Sequence, residues 1–411
     1  MLSSGNISAQ VVTIGTTLIT TKLFTPENFG ILAMFIAVVN ILDKLATLCY
    51  ERAILLARKD EEAVNILFLS FIILLFFTSL IALSTAIGSE AITSKIANPQ
   101  LGFWIYIIPI TVLLTGSVKI MRFWLLRAKK FKLVAFSRFG EATTSALTKI
   151  SIGFFVGAYT GGLIAGALVG LFVSLFIVFI TPSTSSLIKK EIHCVSKNNL
   201  RQVARTYRKF PLFATWNTLL SVFSQQLVIL MFSYYFSPAV VGFYSLGSRV
   251  LTQPMIFLSG SIQNAYFQKA AHDLGQGQHL QASFKKLTAF LFLIGIAPFL
   301  ILHFQSRSIF SFIFGAQWST TGLYIECMAP WFFLLFIGPP THVIYEVLYK
   351  QDIKLLLNIA KLVMAFLALY IGFQTYRDAL SVLKIFVSVN VILELLTISI
   401  AFIFVSKQQT T

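Results

Sequence analysis

The sequence predicts an all-α integral membrane fold, with twelve transmembrane helices in two six-helix bundles related by a parallel repeat. Three observations carry that expectation. The chain is 57% hydrophobic and only 11% charged, with a mean hydropathy of +0.82, too apolar a balance for a globule facing water. Apolar runs such as Ala63 to Ile87 and Leu287 to Leu302 are uninterrupted, as helices crossing a ~30 Å hydrocarbon layer require and barrel strands do not. Basic residues gather in every second loop between such runs, the bias that orients membrane helices.

Taken in order, spans are expected near 4–24, 28–51, 63–88, 102–126, 133–157 and 161–181 in the first half. The second half places them near 211–236, 239–266, 286–304, 321–347, 354–373 and 382–405. The first span is rich in threonine, at Thr13, Thr16, Thr17, Thr20 and Thr21, and rests on the repeat described below rather than on hydropathy. This gives an N-terminal bundle over 1–188, a basic linker over 189–209 and a C-terminal bundle over 210–411. The three cysteines, Cys49, Cys194 and Cys327, and the five histidines are scattered, so neither a disulfide framework nor a metal site is expected, and no cofactor. The segment MLSSGNISAQ has no positively charged start, so no cleavable signal is expected.

Loops after even-numbered spans hold Arg52, Arg58, Lys59, Arg122, Arg127, Lys129, Lys130, Lys189, Lys190, Arg201, Arg205, Arg208, Lys285 and Lys286, among others. The opposite side holds only Lys22, Lys95, Arg307, Arg377 and Lys384, so both termini are expected in the cytoplasm. This topology accounts for most of the +17 charge without invoking nucleic acid. The segment Lys189 to Lys209 offers no aromatic platform beyond Tyr207, and suits a linker lying against anionic headgroups.

The halves repeat. FTPENFG at Phe24 to Gly30 matches FSPAVVG at Phe236 to Gly242, each a short turn in which proline closes one helix and glycine permits close packing in the next. At the same offset Asn40 pairs with Thr252, Thr47 with Ser259 and Glu51 with Gln263. These positions share a helical stripe with Asp43 and Lys44 in the second span, and with Ser245, Ser248 and Arg249 in the eighth. An even number of spans separates the copies, so they point the same way. Two parallel bundles suggest rocking about a binding site between them.

Three segments carry a resemblance to a known family: LFTPENFG at Leu23 to Gly30, CYERAILLARKDEEA at Cys49 to Ala63, and FIFGAQWSTTG at Phe312 to Gly322. In order and spacing they resemble the polysaccharide (O-antigen or capsule) flippases of the Wzx type, within the multidrug/oligosaccharidyl-lipid/polysaccharide exporter superfamily. The basic residue usual in the first segment is displaced here to Lys22. The resemblance implies transfer of a polyprenyl-pyrophosphate-linked oligosaccharide from the cytoplasmic to the periplasmic leaflet of a bacterial inner membrane. Implied partners are that lipid-linked sugar, membrane lipids, a polysaccharide polymerase and assembly proteins. Twelve spans differ from the fourteen of the related lipid II flippases.

Such a cargo needs a polar, cationic cavity open to lipid, because its diphosphate and sugars cannot cross hydrocarbon alone. Lys44, Lys119, Lys149 and Arg249 lie within expected spans and are the candidate substrate-binding cations. Asp43, Glu141, Glu326 and Glu394 are candidates for ion coupling, and Asp43 and Glu141 serve equally as structural counter-ions. Polar stripes on the fifth span (Ser137, Thr144, Ser145, Thr148) and the seventh (Asn217, Ser221, Ser224, Gln225) are candidate sugar contacts or helix–helix contacts. A cation-coupled multidrug exporter of the same superfamily is the competing reading. A membrane enzyme is disfavoured, because no nucleophile–base pair or metal cluster is recognisable on one side of the membrane.

Overall fold

The computed structural model describes residues 2–95, 102–180 and 192–407, and those segments are helices joined by short turns. Lys189 and Lys190 of the expected linker, and Thr411, lie outside the described residues. Among the described residues, 9 stretches are long and apolar enough to cross a membrane, which makes this a multi-pass membrane protein. The chain divides into two compact units, Met1–Tyr234 and Tyr235–Thr411.

The first unit holds α1 (Leu2–Leu23), α2 (Pro26–Thr47), α3 (Asp60–Lys95), α4 (Ile108–Arg127), α5 (Phe131–Phe155), α6 (Thr160–Ile180), α7 (Lys197–Thr206) and α8 (Thr215–Tyr235), the division falling within the last turn of α8. α1 is absent from the nine apolar stretches because of its threonines, yet Thr13, Thr16, Thr17, Thr20 and Thr21 each return their hydroxyl to the carbonyl four residues back. These five hydroxyls are thereby satisfied within the helix. α2 begins where Thr25, in extended geometry, caps the Asn28 amide and Pro26 occupies the first turn. It ends at Thr47, a turn earlier than expected, because Leu48 and Cys49 both adopt left-handed backbone (φ 47° and 56°) before a 3₁₀ turn over Tyr50–Leu55. α5 and α6 approach closely along Gly162, Gly166 and Gly170, spaced four apart. A Cβ on Gly170 would lie 2.7 Å from the Glu141 carbonyl, so only glycine permits this contact.

α7 lies inside the segment expected to be a linker. Ser196 caps it, Val203 is buried, and the Tyr207 hydroxyl donates to Glu62 at the start of α3. Burial, and then that carboxylate, raise the Tyr207 phenol above its ordinary value, so it remains a donor at neutral pH.

The second unit holds α9 (Pro238–Gly275), α10 (Gln281–Phe314), α11 (Ser319–Ile337), α12 (Pro339–Val347), α13 (Gln351–Tyr376) and α14 (Ala379–Lys407). α9 opens like α2, with extended Ser237 followed by Pro238 in the first turn, and it runs past the expected 266 with Pro254 inside it. The span expected at 321–347 is two helices, parted at Gly338 before Pro339 and Pro340. α10 and α11 form an antiparallel hairpin around Gly315 (φ 107°) and the fully buried Trp318. Ser306 donates to the Gly322 carbonyl at 2.8 Å, and a Cβ on Gly322 would collide with the Arg307 backbone. The core of this unit gathers Phe284, Ile344, Tyr345 and Ala401 across α9, α10, α12 and α14.

Candidate functional site

The early end of α2 folds Glu51 back beside Asp43, and Lys119 reaches both from the middle of α4. Its ammonium lies 2.9 Å from Asp43 Oδ2 and 3.6 Å from Glu51 Oε1, and donates to the Thr47 hydroxyl at 3.0 Å. Lys44 adds a second contact to Asp43 at 2.9 Å. Asp43 and Glu51 are each 3% exposed. Two of the four candidate cations are therefore held by carboxylates of their own unit, and the cluster of Lys44, Lys119, Asp43 and Glu51 is neutral overall. Asp43 Oδ1 and Glu51 Oε2 are buried without hydrogen-bond partners.

A second polar centre joins α4, α5 and α6. Arg122 contacts Glu141 Oε2 at 2.6 Å and donates to Ser137 and Ser174, whose hydroxyls lie 2.8 Å apart. Glu141 thus serves Arg122. Lys149, two turns further along α5, is half-buried and lies across Gly166 of α6. The expected stripe on α5 therefore faces the glycine ridge of α6. The expected stripe on α8 is exposed for the most part, with Gln225 donating to Ser221.

In the second unit Arg249 stands in the first third of α9, half-buried, beside Ser248 and Thr252. Among the described residues it has neither an ion-pair nor a hydrogen-bond partner, unlike Lys44 and Lys119. Gly247, two residues earlier and therefore on roughly the opposite side of the helix, meets Ile325 and Met328 of α11. Glu394 of α14 is 3% exposed and paired with Lys361 of α13. Glu326 of α11 lines a cavity of about 700 Å³ with His303, Cys327, Lys384 and Ser388, and its Oε1 accepts from the Arg307 amide at 3.2 Å.

The eight candidate residues thus fall into separate places. Lys44, Lys119 and Asp43 form one cluster, Glu141 lies in the Arg122 centre, and Arg249, Glu326 and Glu394 stand in three different surroundings within the second unit. Arg122 was missed as a member of these centres, and Glu51, though read on one stripe with Asp43 and Lys44, was not among the candidate site residues. Arg122 is only one turn from the expected end of its span, which was the available signal.

Polar centres inside apolar helices, in a chain of many spans, define a multi-pass helical membrane protein. The chain belongs to the polysaccharide biosynthesis protein family, whose sequence pattern matches residues 19–322. Among curated proteins no sequence matches. Its fold is similar to an inward-facing multidrug resistance MATE family transporter of the MOP superfamily, with a TM-score of 0.78 at 13% identity over 98% of this chain and 96% of that one. It is similar to the lipid II flippase MurJ in an inward closed conformation, with a TM-score of 0.75 at 13% identity over 98% and 89%. A MOP superfamily transporter from Pyrococcus furiosus, described as having reversed polarity in its binding pocket, aligns with a TM-score of 0.55 at 15% identity over 100% and 93%. At these identities the likeness defines the fold.

Proposed function

We propose that this protein is a flippase that moves a polyprenyl-pyrophosphate-linked oligosaccharide from the cytoplasmic to the periplasmic leaflet of a bacterial inner membrane, for surface polysaccharide assembly. The observation that carries this reading is a polysaccharide-biosynthesis sequence folded as a transporter. In this reading α1, α5 and α9, which fall outside the nine most apolar stretches, also cross the membrane. They are the helices with the threonine ladder, the Glu141 stripe and Arg249, so their polarity reflects residues turned away from lipid. The result is twelve spans in two parallel bundles, 1–188 and 210–411, with both termini cytoplasmic. The shared extended-residue-then-proline start of α2 and α9 supports the repeat. Reporters at Asn198 should then be cytoplasmic and at Ser237 periplasmic; both on one side would remove α8 as a span.

Arg249 is the cation assigned to the substrate diphosphate, with Lys149 as its counterpart in the first unit. The inside-negative potential drives an anion outward by ~2.3 kcal/mol per charge per 100 mV, so the protein needs mainly to lower the barrier for a polar headgroup. Depletion should trap lipid-linked repeat units on the cytoplasmic leaflet. Arg249→Ala should slow leaflet transfer tenfold or more in folded, inserted protein, while Arg249→Lys keeps the charge and retains more activity. Unchanged transfer in Arg249→Ala, Lys149→Ala and the double variant would sink the cationic-cavity reading.

One observation favours a second reading. Asp43 and Glu51 neutralise Lys44 and Lys119, so this centre presents no net positive charge to an anion. A cation-coupled exporter of organic cations is compatible with such an interior. Altered drug sensitivity with an unchanged leaflet distribution of lipid-linked sugar would establish it in place of the flippase.

A further inference from the structure

The first unit carries a charged surface that the transport reading leaves unused. α7 places Lys197, Arg201 and Arg205 at intervals of four residues, which on a helix of 3.6 residues per turn gathers them on one side, and Arg208 follows in the turn just beyond its end. All four are exposed, and none has an ion-pair partner among the described residues. The rest of α7 is already committed to the protein. Val203 is buried, the Ala204 carbonyl accepts from the Tyr50 hydroxyl at 3.1 Å, and the Tyr207 hydroxyl donates to Glu62. Just upstream, the Cys194 carbonyl accepts from the side chains of Asn65 and Asn199.

These contacts fix the depth of α7. Glu62 and Asn65 belong to the first two turns of α3, where an acidic start gives way to the apolar run that crosses the membrane. A helix tied to those turns sits at the boundary of the hydrocarbon, and what surrounds an exposed side chain there is the headgroup layer. The nearby acids do not cancel the basic side: Asp60 is paired with Arg127 at 3.0 Å, and Glu62 is occupied by Tyr207 and the Arg58 amide, leaving Glu61.

We propose that the exposed basic side of α7 is a docking surface for anionic phospholipid headgroups of the leaflet on whose side the loop emerges. Four clustered cations at headgroup depth match the phosphate of such lipids, and the packing of α7 on α3 presents them ready-formed. This does not rest on the flippase reading, because an exporter with the same α7 would bind the same lipids.

The full-length protein, purified and delipidated in mild detergent, is titrated with phosphatidylglycerol or phosphatidylethanolamine, and bound lipids are counted by native mass spectrometry. Wild type should retain phosphatidylglycerol in preference, with the preference falling as salt rises. Arg201→Gln, Arg205→Gln and Arg208→Gln together should weaken it by roughly fivefold per charge removed. The corresponding triple lysine variant should keep it, as should Lys285→Gln with Lys286→Gln in another basic loop. Should the triple glutamine variant fail to fold, Arg205→Gln alone should still shift the preference about fivefold. Equal retention by wild type and a folded glutamine variant, or wild-type binding of a soluble nucleic acid that phosphatidylglycerol vesicles do not displace, would overturn the proposal.

Discussion

Replacing Asp43 by asparagine should test the centre between α2 and α4 most directly. At an effective dielectric of 20, the Lys119–Asp43 contact at 2.9 Å is worth about 6 kcal/mol of gross Coulomb energy, and Lys119–Glu51 at 3.6 Å about 5. The variant removes the first and keeps the second, so Lys119, 19% exposed, retains one carboxylate. The expected loss therefore lies at the lower end of that for breaking a buried pair, about 3 kcal/mol. Lys119→Met takes the cation from Glu51 and leaves Asp43 with Lys44 alone, and should cost about as much. Lys44 is 26% exposed and can turn to water, so Lys44→Met should cost under about 1 kcal/mol. Equilibrium unfolding in mixed micelles of increasing SDS fraction measures all three, and the Asp43→Asn, Lys119→Met double variant should cost about 2 kcal/mol less than the sum of its parents. If Lys44→Met costs as much as Lys119→Met, or Asp43→Asn leaves the midpoint unmoved, the assignment of Lys119 as the central cation is wrong.

Further outcomes follow from the same geometry. Arg122→Lys keeps the charge beside Glu141 but cannot also reach Ser137 and Ser174, so it should lose about 1 to 2 kcal/mol in the same unfolding titration; full stability would show that the guanidinium geometry is unimportant. Gly322→Ala drives a methyl group into the Arg307 backbone and should cost about 2 to 3 kcal/mol, whereas Gly260→Ala, with open space around it, should be neutral or slightly stabilising. Hydrogen bonds from the Ser381 and Leu380 amides hold Asp378, in the turn before α14, below the usual carboxylate range. Its contribution is present above the unfolded carboxylate value and disappears as pH falls through the folded one. Asp378→Ala should therefore lose under about 1 kcal/mol at neutral pH and converge on wild type as pH falls through the folded value, a difference read from unfolding midpoints across pH.

Helices were legible wherever hydropathy or proline chemistry spoke. The runs of α3 and α10 and the proline starts of α2 and α9 are plain in the sequence. The end of α2 was not, because Leu48 and Cys49 carry no local signal for left-handed backbone, and tertiary contacts that return Glu51 to Lys119 decide it. α7 was readable in principle, from Ser196 as cap and the spacing of Leu200, Val203 and Tyr207, but its charge made it look like an unstructured linker. The candidate site suffered most. Placing Arg122 in a loop is an error of about one turn, yet it moves a cation from water into contact with Glu141. Pairings such as Lys119 with Asp43 join distant parts of the chain, and one sequence carries no record of them. Arg249 was legible as an intramembrane cation; that no partner meets it among the described residues required the structure.

The α10–α11 hairpin bears on how the chain enters its membrane. Alone, the end of α10 would present His303, Gln305, Ser306 and Arg307 to lipid or to the insertion machinery. Paired with α11, His303 donates through Nδ1 to the Glu326 carbonyl at 2.8 Å, Ser306 donates to Gly322, and Phe336 packs against Gly295 further down. The two helices are consecutive, and their contacts close across a short turn, so His303 and Ser306 can be masked as soon as α11 is synthesised. Release from the translocon as a hairpin should therefore be easier than release of α10 by itself, and a nascent chain truncated before Trp318 should linger at the lateral gate.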